Sequence, residues 1–301
     1  MPNWNSLLDE IRVAGGTHDL IRRKYLSELH NLTGRNVILY YSGWLHAASY
    51  STPTIASSFF LDDNDKNGFM AAIHQLDRSK GLDLILHTPG GDIAATESLV
   101  AYLREMFDGN IRAIIPQLAM SAGTMIALSC NKIIMGKHSS LGPIDPQISG
   151  IPAHGVIEEV NTAKADISQV PALANFWHPI ISKYSPAFIG ECQKAITWAE
   201  EVVKYWLITG MYSGQKDPRD KANKVFAELG DHALTKSHSR HISANQAIDL
   251  IGDAVTLLED NDELQEAVLT VHHACIQTLA ENKVIKIIEN HAGTAFITKA
   301  S

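Results

Sequence analysis

At 301 residues, with 45% hydrophobic and 19% charged side chains, the chain can bury a sizeable core and has the composition of an ordinary folded protein. A formal net charge of -8, with no Lys/Arg stripe and no aromatics interleaved with basic residues, argues against a nucleic-acid-binding surface. The three cysteines (Cys130, Cys192, Cys275) are far apart in no metal-ligand spacing, and read as small core residues. Met1 to Asn31 lacks a signal-peptide apolar core, and no run reaches the roughly 18–20 apolar residues of a membrane helix, so a cytoplasmic protein without a membrane span is expected.

In chain order, apolar residues fall at helical spacing from Trp4 to Leu32 (Leu7, Leu8, Ile11, then Leu20, Ile21, Tyr25, Leu29), interrupted by Gly15-Gly16. Asn36 to Leu45 opens a β-rich run, Asp62 to Asn67 is a charged loop, and Gly68 to Leu76 returns to helical spacing. LDLILH, Leu82 to His87, is a compact apolar strand ended by the turn residues Thr88-Pro89-Gly90-Gly91. Asp92 can cap the next helix, whose buried stripe runs through Ile93, Leu99, Leu103 and Met106/Phe107. Ile111 to Pro116 predicts a second buried strand, Ser121 to Cys130 a short apolar helix, and Lys132 to Met135 a third strand. Continuous apolar strands alternating with helices predict an α/β protein whose parallel sheet is covered on both faces.

Downstream, Pro186 to Gly210 predicts a long helix on which Trp198 and Trp206 pack, as Trp177 does nearby, and Ser243 caps a helix running to Leu250. The acidic run Glu259 to Glu266 reads as a solvated helix start. Asp262 to Ile288 predicts a final amphipathic helix through Leu264, Val268, Val271, Ile276, Leu279 and Ile287. With no repeat and no linker, the expected organisation is a helical arm over residues 1–35, a catalytic unit over 36–260, and a C-terminal helix and tail over 261–301.

Two glycine-bearing turns fall at the C-terminal ends of successive predicted strands: HTPGGD (His87 to Asp92) and MSAGT (Met120 to Thr124). Ligands collect at that edge of a parallel sheet, and glycines there let backbone N–H groups approach a substrate. Ser121 at a helix start gains from the dipole, so one turn can supply a nucleophile and the other an oxyanion-stabilising N–H. Either turn alone is more often structural; their pairing with a helix and a strand between them is what points to acyl transfer.

The stretches LDLILHTPGGDIAATESLVAYL and AMSAGTMIALSCNKIIMGKHSSLGPIDPQ resemble the Clp-fold serine peptidases, and are most similar to the serine dehydrogenase proteinase (SDH) family, cousin to the Clp peptidase and signal-peptide peptidase A. The resemblance covers roughly Asn36 to Glu259 and is most specific between Leu82 and Gln147. It implies a Clp/crotonase-type spiral of β-β-α units with a parallel sheet, plus helical terminal segments. It implies Ser121 as nucleophile, and an oxyanion hole from Gly90, Gly91 and Ala122. In KSHSRHISANQA (Lys236 to Ala247) it places His238 in the base position, followed by Ser239 where an acid is expected. Asp145, in LGPIDP where a Clp-type histidine would project, is the candidate third member. A histidine is the better base near neutral pH, and Lys164 and Lys236 stand as alternatives that would need desolvation.

The resemblance therefore implies a serine peptidase acting on peptides or unfolded proteins, assembled as a homo-oligomer. The alternatives on the same fold are a catalytically silent peptide-binding or assembly module and a crotonase-like acyl-CoA enzyme, the latter disfavoured by the serine and by the lack of a carboxylate pair. No cofactor is expected: no Walker-type phosphate loop occurs, and no carboxylate or Cys completes a metal spacing with His232, His238 and His241.

Overall fold

Short runs of apolar and β-branched residues form the strands that organise the molecule. A computed structural model describes residues 4–49, 53–230, 240–281 and 283–300. In chain order these residues form α1 (Trp4–Val13), α2 (His18–Thr33), β1 (Asn36–Ser42), α3 (Asp65–Ile73), β2 (Leu82–His87), α4 (Ile93–Met106), β3 (Ile111–Ile115), β4 (Leu118–Ala119) and α5 (Ala122–Leu128). Next come β5 (Lys132–Met135), β6 (Ser140–Leu141), β7 (Gln147–Ile148), β8 (Ile151–Pro152), α6 (Ala153–Gln169), α7 (Ala174–Ile181), α8 (Pro186–Thr209) and α9 (Pro218–Gly230). The chain closes with β9 (Ile242–Ser243), α10 (Ala244–Ile251), β10 (Val255–Leu257), α11 (Asp262–Glu281), β11 (Val284–Asn290) and β12 (Ala295–Lys299).

The main sheet runs β10-β5-β3-β2-β1-β11-β12. Its first five strands are mutually parallel, and β11 and β12 add antiparallel at one edge. Alternate side chains go to opposite faces, as a pleated strand requires. Ile38, Tyr40, Leu84, Leu86, Ala113 and Ile115 pack toward α3, α4, α5 and α8. Val37, Leu39, Tyr41, Ile85 and Ile114 pack toward Leu26 and Leu29 of α2 and toward Val268, Val271, Cys275 and Leu279 of α11. The helical segments near the two ends of the chain thus form one covering layer, tied to the sheet by the buried Arg22–Glu289 pair between α2 and β11. Both faces are covered, and this explains why the parallel strands read as largely apolar runs.

Three expectations change. The predicted helix from Asp262 to Ile288 ends at Glu281, and Val284–Asn290 is instead a strand paired antiparallel with β1. Ile285, Ile287 and Ile288 are β-branched residues that find a vacant sheet edge, so tertiary pairing outweighs the apparent helical period. Asp65–Asn67, read as loop, begins α3. Trp198, expected in helix packing, is 38% exposed and donates its indole N–H to Glu97 at 2.8 Å, whereas Trp206 is buried as predicted.

Candidate active site

β2 and β4 deliver the two glycine turns to the same place. Beyond the end of β2, Thr88 forms a parallel bridge with Ala119 of β4. The Thr88 N–H donates to the Leu118 carbonyl (3.1 Å) and the Met120 N–H donates to the Thr88 carbonyl (3.0 Å). Parallel pairing along the C-terminal edge therefore carries the chain directly into Ser121 on one strand and Gly90 on the other. The contact is close: a Cβ built on Gly90 would lie 2.7 Å from the Ser121 Cβ and 2.9 Å from the Met120 carbonyl oxygen. Gly90 also holds φ +105°, a conformation that side-chain-bearing residues avoid.

Ser121 is half-buried and sits immediately before α5 with φ 49° and ψ -114°. A non-glycine residue in that region is strained by about 1–3 kcal/mol, and such strain gathers at active sites. Its side chain makes no capping hydrogen bond to α5, so the plain helix-cap explanation for the serine is removed. The strain is open to measurement. Ser121→Gly is expected to melt at higher temperature than Ser121→Ala, by the equivalent of about 1 kcal/mol, because only glycine adopts this φ without cost. Equal melting points would show the conformation to be unstrained.

The amide groups around Ser121 divide by role. The Gly90 N–H donates to Thr88 Oγ1 at 3.1 Å, so Gly90 provides clearance and not a donor. Leu61 borders the next residue: its N–H donates to the Gly90 carbonyl (2.8 Å) and its carbonyl accepts the Asp92 N–H (2.9 Å). In this parallel bridge the N–H and C=O of Gly91 itself face away from Leu61. The Ala122 N–H, first in α5, has no intrahelical acceptor. Asp92 caps α4, accepting the Ala95 N–H at 2.8 Å, and so fixes the far end of the turn.

The Leu141–Pro146 loop closes against the serine turn. The Gly142 N–H donates to Ala119 O (3.2 Å) and to Thr124 Oγ1 (2.9 Å), and the Thr124 hydroxyl donates to the Ala119 carbonyl (2.8 Å). A Cβ on Gly142 would meet the Met120 Cα at 3.0 Å, so glycine permits this approach. Asp145, three residues on, is buried. The Ile144 N–H donates to the Leu229 carbonyl (2.7 Å), which brings the end of α9 to the loop, and β9 pairs antiparallel with β6 at its start. His238 and Lys236 lie outside the described residues, in the chain segment between α9 and β9. Lys164 is exposed on α6.

Two residues to which the pattern gave no role border the glycine turn: Leu61, bridged to Gly91, and Thr88, which accepts the Gly90 N–H. His87 is fully buried, its ring 5.2 Å from that of Tyr41, 4.4 Å from Trp44 and 5.5 Å from His272. Neither ring nitrogen has a hydrogen-bond partner among the described residues. Burial, with a smaller contribution from His46, pushes its pKa down to about 3. His87 could have been noticed as a polar residue closing an apolar strand; nothing in the sequence marks Leu61. Among the described residues no group of three or more His, Cys, Asp or Glu is placed to hold a metal ion. No helix among them is long and apolar enough to cross a membrane.

The profile of the ClpP-like SDH-type serine proteinases matches residues 18–175. The chain belongs to this family. The matched span includes both glycine turns, Ser121 and Asp145, and ends before His238. The chain is also similar to the uncharacterized protein MJ0137 of Methanocaldococcus jannaschii, at 27% identity over 243 residues, which covers 80% of this chain and 78% of that protein. A second protein of the same organism, the uncharacterized MJ1495, is 39% identical over 99 residues, 33% of this chain and 34% of its own length.

Proposed function

We propose that this SDH-type protein is a serine peptidase that cleaves peptide bonds through an acyl-enzyme on Ser121. The observation that carries the reading is the contact of the Gly90 turn with a backbone-strained serine, beside the N–H groups of Gly91 and Ala122. In this reading Ser121 Oγ attacks the scissile carbonyl carbon while His238 takes the hydroxyl proton. The oxyanion is held by the Gly91 and Ala122 N–H groups, the proton passes to the departing amine, and water then hydrolyses the ester. Asp145 would orient the imidazole and stabilise its charged form. The flanks of the segment bearing His238 support this role, since both meet the loop that carries Asp145.

Gly91 is extended, with one side bordered by Leu61 and its own N–H and C=O on the other. That arrangement suits an extended peptide or unfolded segment pairing as an added strand. A ClpP-type spiral of β-β-α units, and a homo-oligomer that encloses the site, belong to the same proposal. The test is a fluorophosphonate probe with mass-spectrometric site mapping. Wild type should be labelled at Ser121, and Ser121→Ala and His238→Ala should not react. Loss of labelling in Lys164→Ala or Lys236→Ala instead would reassign the base. No labelling of folded wild type would favour a silent peptide-binding module, and thermal stabilisation by acyl-CoA would favour a crotonase-like enzyme.

A further inference from the structure

The backbone that borders Gly91 is itself held by a charged cluster anchored on the last-but-one strand of the chain. Lys286 of β11 is buried, and its Nζ donates to the Phe60 carbonyl at 3.1 Å. The same ammonium lies 2.9 Å from Asp65 Oδ2 and 3.4 Å from Asp62 Oδ2. Asp65 is also buried, and its Oδ2 accepts the Tyr40 hydroxyl (3.0 Å) and the Asp62 N–H (3.1 Å). The Tyr40 hydroxyl in turn interacts with Thr88, the residue that holds the Gly90 N–H. Phe59 is pinned as well, its carbonyl accepting Ser42 Oγ at 2.7 Å. The residues on both sides of Leu61 are therefore bound to one ammonium–carboxylate pair, and Leu61 hydrogen-bonds both neighbours of Gly91.

Burying such a pair in an apolar strand gives little net stability; hydrophobic residues of similar volume often do as well or better. What it supplies is directionality, since each bond fixes a particular backbone atom. We propose that Lys286, with Asp65, is a positioning element for the oxyanion turn, holding Phe60–Asp62 so that Leu61 keeps the Gly91 N–H aimed at the reacting carbonyl. The proposal deepens the peptidase reading and rests on it. It makes β11 part of the active-site scaffold although Lys286 does not contact Ser121.

The test compares Lys286→Met, Lys286→Arg and the charge-free Lys286→Met/Asp65→Asn, which avoids an uncompensated buried carboxylate. The double variant is expected to fold and to lose about 10-fold or more in the rate of Ser121 labelling, as displaced catalytic groups do. Lys286→Arg should recover part of that rate. Amide exchange at Leu61 and Asp92 should quicken in the double variant. Arg112→Met, which removes one of the two arginines paired with the buried Asp83 at the opposite end of the strands, should lose stability without this effect on labelling. A folded double variant with wild-type labelling, or with unchanged exchange at Leu61 and Asp92, overturns the positioning role. If wild type is not labelled at Ser121 at all, the peptidase reading fails, and the exchange measurement still decides whether Lys286 holds the loop.

Discussion

Gly90→Ala is expected to slow fluorophosphonate labelling of Ser121 by about 10²–10³-fold, the loss seen when one oxyanion donor is misplaced. The added methyl would sit 2.7 Å from the Ser121 Cβ, 2.9 Å from the Met120 oxygen and 3.0 Å from the Ala122 nitrogen. Two of those atoms are backbone and the third is attached directly to it, so no side-chain rotation relieves the clash and the turns must separate. Separation moves the serine hydroxyl away from the Gly91 N–H, and the chemistry needs both at one carbonyl. The φ of +105° adds strain of about 1–3 kcal/mol, so a lower melting temperature is expected too. Gly109→Ala is the control: its φ of +66° carries similar strain, but a Cβ there meets nothing within 4 Å. It should lower stability and leave labelling unchanged. Near-wild-type labelling of Gly90→Ala would show that the contact of the two turns is not required.

Acidification is expected to destabilise the fold through His87. The ring is buried among Tyr41, Trp44 and His272, with no acceptor for an added proton among the described residues. Its pKa falls to about 3, against about 6.5 in the unfolded chain. The unfolded state therefore takes up a proton as the pH drops through 6.5 while the folded state stays neutral. Stability is fully present above pH 6.5 and declines as pH falls toward 3, by about 2 kcal/mol at pH 5 from this residue. His272, also buried, is depressed mainly by desolvation and acts in the same direction. Urea unfolding between pH 8 and 4 checks this. His87→Leu, similar in volume and apolar, should remove about that 2 kcal/mol from the pH dependence at pH 5. An identical slope in the variant would mean that other groups drive the acid response.

Much of the architecture was legible because burial leaves a periodic record. LDLILH and IRAII are apolar apart from the Asp83–Arg112 pair near their starts and His87 at the end of the first, since both sheet faces are covered, and Asp92 and Ser243 mark the helix starts that they cap. The two glycine turns were legible as well, because a close backbone approach excludes a Cβ. Val284–Asn290 was not: its apolar spacing fits a helix as well as a strand, and only the exposed edge of β1 decides between them.

The sequence by itself determined the strand–turn–helix order that places a serine and a glycine pair at one edge of a parallel sheet, since propensity, turn chemistry and periodicity act over a few neighbouring residues. Tertiary structure alone decided that Leu61 borders Gly91, that Lys286 reaches Phe60 from 226 residues away, and that His87 is sealed among aromatic rings. Those contacts join residues distant in the chain, and their energies depend on distance and desolvation, which no local pattern encodes.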